Sequence, residues 1–272
     1  MTVATEDSLG AEATAPQMAM APVRRERRGL RSYLFMPVFL ALVCLGLYLY
    51  ISSQELDSIE QRQLNADVIT TRLWEHIQIT VVSTIFTILI AIPLGVFLTR
   101  PFTRRYRPVL LGVANIGQAV PTIGVLALLA LGALSFLGVG IGFKAAIIGL
   151  VAYTVLPVLR NTMVGLQQVD ENVLEAGRGM GINKMGVLTR IELPLAVPII
   201  LAGVRTALII NVGTATLAAY INAGGLGSII VAGLSLNRLN VQITGAVLTA
   251  VLALLIDYLA GIAEEVLRPK GL

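Results

Sequence analysis

Six long apolar runs, at about 33–51, 76–98, 109–134, 144–163, 196–219 and 241–263, alternate with short polar segments along the 272 residues. Each run is close to the roughly 20 residues that a helix needs to cross about 30 Å of hydrocarbon. The pattern predicts an all-α, polytopic membrane protein with six transmembrane helices. Residues 1–23 are rich in Ala, Pro, Thr and Met without periodicity, and the arginine cluster Arg24–Arg31 follows. Residues 1–32 are therefore expected to form a disordered cytoplasmic tail, and residues 33–272 the membrane domain. The run after the arginines is long for a signal peptide, and no small-residue cleavage site follows it. Residues 54–71, with Glu55, Asp57, Glu60 and Asp67, read as an extracytoplasmic loop, as do the glycine-rich SFLGVGIGF and AGGLGSIIVAGLSLNRLN.

Composition narrows the class. With 56% hydrophobic and 13% charged residues and a mean hydropathy of +0.82, the chain carries more apolar surface than a soluble domain can bury. Its sequence pI near 9.5 does not indicate nucleic-acid binding, because the cations sit in short loops between apolar runs. Arg100, Arg104, Arg105 and Arg107 mark one such loop, Lys184 and Arg190 another, and Arg268 and Lys270 the end. By the positive-inside rule these segments face the cytoplasm, which places both termini there. Cys44, the single cysteine, lies in an apolar run, so disulfides and cysteine-based metal sites are excluded. No phosphate-cradling GxxxxGK[ST] loop is present, no metal site or cofactor is expected, and no catalytic group stands out.

The longest polar interlude, EAGRGMGINKMGVLTRIELP from Glu175 to Pro194, reads as two short helices joined at a glycine. Asp170 is placed to cap the first and Asn183 the second, and Gly181 supplies the left-handed turn between them. Ile182, Met185, Leu188 and Ile191 form an apolar stripe. An ordinary connector and a functional element are both compatible with this spacing. A DNA-reading helix-turn-helix is set aside because spans close on both sides.

Polar residues also occur inside the apolar runs: Asn115, Gln118, Pro121 and Thr122 in the third, and Asn211, Thr214 and Thr216 in the fifth. They either line a translocation path beside helix breaks or make interhelical hydrogen bonds. Arg205 and Asp257 lie at similar depths in the fifth and sixth runs. A buried charge in hydrocarbon is costly, so they are expected to pair; separate snorkelling is the alternative. His76, the only histidine, reads as an interfacial residue at a span end.

The interlude resembles the cytoplasmic coupling loop of ABC-importer permeases, with its pattern E-A-A, three residues, Gly, nine residues, I-x-L-P. Glu175, Ala176, Gly181, Ile191, Leu193 and Pro194 match, and Gly177 departs from the usual alanine. The loop spans 165–195. From about residue 70 onward, NIGQAVPTIG, LPVLRNTMVGLQQVD, GTATLAAYINAGGLG and ELPLAVPIILAGVRTA are similar to permeases of osmoprotectant importers, which carry glycine betaine, choline and carnitine.

The resemblance implies a type I ABC-importer permease in a bacterial cytoplasmic membrane. It implies as partners a separate ATP-binding ABC subunit, an extracytoplasmic solute-binding protein and a second permease, identical or homologous, within the lipid bilayer. It also implies that the loop's apolar stripe docks into the ATPase. Trp74 is the only tryptophan, so an aromatic cage for a quaternary ammonium is expected in the binding protein instead, and the chain ends too soon after its last run to include one. An amino-acid-like solute, an ion-coupled secondary transporter and an assembly subunit without a route are the alternatives.

Overall fold

The structure is a computed structural model that describes residues 30–103, 105–132 and 139–267, with side chains from Tyr33 onward. The predicted tail up to residue 29, the turn at 133–138 and the basic end at Arg268 and Lys270 lie outside the described residues. Every regular element among the described residues is helical. Five helical stretches are long and apolar enough to cross a membrane, and a bent pair of helices passes the same test together, as either a broken span or a re-entrant loop.

Helix α1, Leu30–Ser52, stands at the periphery with only Leu40 buried. It leans on the last helix, α11 (Leu239–Leu267), where Tyr258 Oη donates to the Tyr33 carbonyl at 2.7 Å and Tyr33 Oη donates to Glu265 at 2.7 Å. The following polar segment is partly helical. Asp57 starts α2 (Ser58–Gln63), accepting from the amides of Ile59 and Glu60 in a capping box. The Glu60 amide, with Arg238 beside it, holds the Asp57 carboxyl below the usual carboxylate range. Asn65 then caps α3 (Ala66–Thr99), so the second span begins ten residues before the apolar run does.

Three helices form the centre: α3, α6 (Phe143–Gln167) and α9 (Leu193–Ala215). At one end Ile79, Leu126, Leu129, Ala145, Leu150 and Ile221 pack together; further along, Ala91, Leu98, Val158, Leu159 and Ala207 do so. Most threonines inside this centre keep a hydrogen bond, although the buried Thr80 hydroxyl has no partner among the described residues. Thr84, Thr154 and Thr162 donate to the carbonyls four residues back, and Thr87 and Thr154 meet across α3 and α6 at 2.8 Å. Leu89, Ile90 and Phe97 point outward from α3, as suits a surface solvated by lipid.

Two sequence expectations need correcting. The third run is not one straight span but α4 (Arg107–Ala119) and α5 (Thr122–Ala130), bent by 89° at Val120 and Pro121. Proline has no amide hydrogen to donate and drives the preceding residue into extended backbone, as the Val120 angles of −75° and 129° record. The segment after the fifth run, read as a loop, contains α10 (Gly227–Ser235). Leu226 and Ile229 bury there against Val212, Val241 and Leu252. Nine residues are too few to cross a membrane, but enough to cover a shallow apolar face.

Candidate functional site

The polar interlude folds as two capped turns. Helix α7, Glu171–Gly179, starts at Asp170, whose carboxylate accepts from the Asn172 amide at 2.9 Å. It ends in a paired-amide turn: Ile182 N–H donates to the Gly177 carbonyl at 3.2 Å and Gly181 N–H to that of Arg178 at 3.0 Å. Gly181 has φ +82°, a conformation that costs a side-chain-bearing residue about 1–2 kcal/mol. Asn183 accepts from the Gly186 amide at 2.7 Å and opens α8, Lys184–Val187.

The second helix does not stop before the fifth span. It continues through a π turn, Leu188–Glu192, directly into α9. The wide turn falls where Pro194 lacks the amide that would close the regular ladder. Lys184–Ile221 is therefore one helical rod of 38 residues.

Glu175 and Ala176 are exposed, Gly177 is buried, and Ile191, Leu193 and Pro194 are half-buried. A methyl group added at Gly177 would lie 2.6 Å from Ile191 Cδ1. An alanine here would require the Ile191 side chain to shift, since its Cδ1 fills the space beside Gly177. The apolar stripe also differs from expectation. Met185 is 67% exposed, but Leu188 packs inward beside Leu166, Ala196 and Ile200. The outward apolar groups are Met185, Met180 and Val173. A groove of about 510 Å³ runs between this region and Phe102, with Arg178 and Lys184 on its wall.

A contact that the sequence reading did not identify braces the region. Arg100, at the end of α3, holds Glu192 in a two-pronged pair at 2.6 and 3.3 Å, and Glu192 is only 5% exposed. An acid at the free position of I-x-L-P, facing an arginine-rich segment, was the available signal.

The in-span polar residues do not converge on one surface. Asn211 is fully buried and donates to Thr84 Oγ1 at 2.9 Å, joining α9 to α3. Thr214 donates to the Ile210 carbonyl, Thr216 to that of Gly213, and Thr122 is buried at the start of α5. Asn115 is exposed on α4, with Gln118 one turn on and Pro121 at the bend. Asn115 Oδ1 accepts from Arg160 of α6 at 2.5 Å.

Arg205 Nε lies 2.6 Å from Asp257 Oδ1, and its Nη1 is 3.5 Å from Glu264. His76 is not interfacial but wholly buried, its Nε2 3.0 Å from the Val212 carbonyl. The turn at Gly224 and Gly225, both at positive φ, presses on it; a side chain at Gly225 would meet His76 Nδ1 at 3.1 Å. Beside it Glu75 accepts from the Gly225 amide at 2.9 Å.

Apolar crossings, a central helix trio and a capped polar loop running into a spanning helix together define a membrane transport component. The chain belongs to the family described as binding-protein-dependent transport system inner membrane component, whose model matches residues 91–270. It is therefore a multi-pass permease subunit of an ABC importer. Among its relatives is the choline transport system permease protein OpuBB of Bacillus subtilis, 41% identical over 77% of this chain and 93% of that one. The glycine betaine/carnitine/choline transport system permease protein OpuCB of the same organism is 40% identical over the same shares. The carnitine transport permease protein OpuCD of Listeria monocytogenes is 39% identical over 78% and 92%. Among solved structures, a chain of the inward-facing MetNI methionine ABC transporter superposes with a TM-score of 0.67 at 26% identity, covering 79% of this chain and all of that one.

Proposed function

We propose that the protein carries a small osmoprotectant such as glycine betaine, choline or carnitine into the cytoplasm, driven by ATP hydrolysis on a separate subunit. The substrate class rests on the relatives of 39–41% identity, each named for one or more of these compounds. The observation that carries the coupling is the Asp170-to-Pro194 region, a capped two-helix projection continuous with the spanning rod of α9. Its exposed Val173, Met180 and Met185, rimmed by Arg178, Lys184 and Arg190, offer the ATPase an apolar contact inside a basic border.

In this reading the loop and the arginines near it face the cytoplasm, both termini lie on that side, and α2 and α10 face outside. Two permeases, identical or homologous, enclose the route, and an extracytoplasmic protein delivers the solute. ATP-driven closure brings the two loops together and opens the route outward; hydrolysis returns it inward. The loop transmits work only if its contacts with the ATPase differ between the two states. The likeness to the methionine transporter supports a second reading, an amino-acid-like solute in the same machinery.

Affinity purification from native membranes, followed by reconstitution of the copurifying ATPase and binding protein, tests both. ATP-dependent uptake of labelled glycine betaine, choline or carnitine is expected, with methionine excluded. Uptake of methionine alone would replace the osmoprotectant reading with the second, and uptake without ATP would overturn the coupling.

A further inference from the structure

Arg160 stands on the exposed side of α6, seven residues before its end at Gln167. That places it about 10 Å inside the helix terminus, within a stretch long and apolar enough to span the membrane. The fourth apolar run ends only three residues later, so a guanidinium there must reach interfacial water, a water-filled route or a partner.

Among the described residues its hydrogen-bonding partner is neutral, the Asn115 carbonyl oxygen at 2.5 Å. Arg205 is matched by Asp257 and Glu264 and Arg100 by Glu192, while Arg107 donates to the Leu98 carbonyl. Glu265 accepts from Tyr33. Among the described residues no carboxylate pairs with Arg160. One of the five guanidinium donors is used by Asn115, which steadies the group and leaves a planar fork open. Such a fork fits a carboxylate through two parallel hydrogen bonds.

We propose that Arg160, oriented by Asn115, is the residue of the route that recognises a solute carboxylate. This deepens the osmoprotectant reading and rests on it. Zwitterions that join a quaternary ammonium to a carboxylate, as glycine betaine and carnitine do, gain a partner at this point. Choline, a cation with no carboxylate, meets an unscreened positive charge.

The test compares uptake of the three labelled solutes by the reconstituted complex of wild-type chain, Arg160→Gln, Arg160→Lys and Asn115→Asp. Each variant is referred to wild type for the same solute, which cancels the selectivity of the binding protein. Copurification of the partner subunits checks folding. Arg160→Gln is expected to lower betaine and carnitine uptake about tenfold or more, the worth of a charge-assisted hydrogen bond, and Arg160→Lys to lower it less. Asn115→Asp gives Arg160 an internal carboxylate and is expected to lower uptake of the same two solutes, leaving any choline uptake unchanged or raised.

A structural role for the contact predicts the opposite for Asn115→Asp, because the bond to Arg160 becomes stronger. Undiminished betaine and carnitine uptake in that variant would overturn the proposal, as would a parallel loss of choline uptake in Arg160→Gln. A wild-type complex that carries none of the three would instead fail the osmoprotectant reading, and this inference with it.

Discussion

At the residue scale the charged side chains inside the spans are the decisive features. Arg205 and Asp257 meet at 2.6 Å, and Glu264 stands 3.5 Å from the same guanidinium. Asp257→Asn is expected to lower folding yield and Arg205→Gln in the same chain to restore part of it. A double-mutant cycle read by thermal stability in detergent should give a coupling of about 1 kcal/mol; a value near zero would make the contact incidental. The two residues could be matched in the sequence because each interrupts an apolar run at a similar distance from its end. Arg100 and Glu192 could not. They stand 92 positions apart, and Arg100 is one of four arginines between Arg100 and Arg107, where nothing in the spacing selects it. His76 was misplaced for a related reason. The apolar run starts at its position, whereas the helix starts at Ala66, and a run boundary marks depth only when the helix ends there too.

At the element scale, caps and turns were the most legible features. Asp170, Asn183 and Gly181 hold the positions that their local chemistry dictates, since each satisfies or releases backbone groups within a few residues. Elements defined by tertiary contact were less legible. Helix α10 is too short to declare itself by length, and the π turn before Pro194 depends on continuity with α9. The left-handed turn at Gly181 yields a sharp expectation. A side chain there meets no atom within 4 Å, so Gly181→Val is penalised by backbone strain alone, at least about 1–2 kcal/mol. The spans should insert normally while ATPase docking and uptake are lost. Glu175→Ala should act in the same direction more mildly, because Glu175 is exposed and a partly exposed polar contact is worth about 1 kcal/mol. Solute-stimulated ATPase activity of the reconstituted complex decides the point: wild-type stimulation in Gly181→Val would reduce the region to a connector.

At the scale of the whole molecule, the distribution of arginines predicts an orientation that can be tested chemically. In a Cys44→Ala background, a cysteine at position 184 should resist a membrane-impermeant thiol reagent in intact cells, and one at position 237 should react; labelling at 184 would invert the arrangement. Asn237 belongs to the end where Arg238 holds Asp57 at 2.8 Å and Asn240 holds Glu60 at 3.1 Å, and Lys184 begins the 38-residue helix at the other. That helix is about 57 Å long and runs without a break through the π turn at Leu188–Glu192. Moving as one body, a helix of this length would pivot. A tilt of about 10° about its middle carries each tip about 5 Å, in opposite senses. In the proposed importer, such a pivot would widen the outer mouth as it narrowed the inner one.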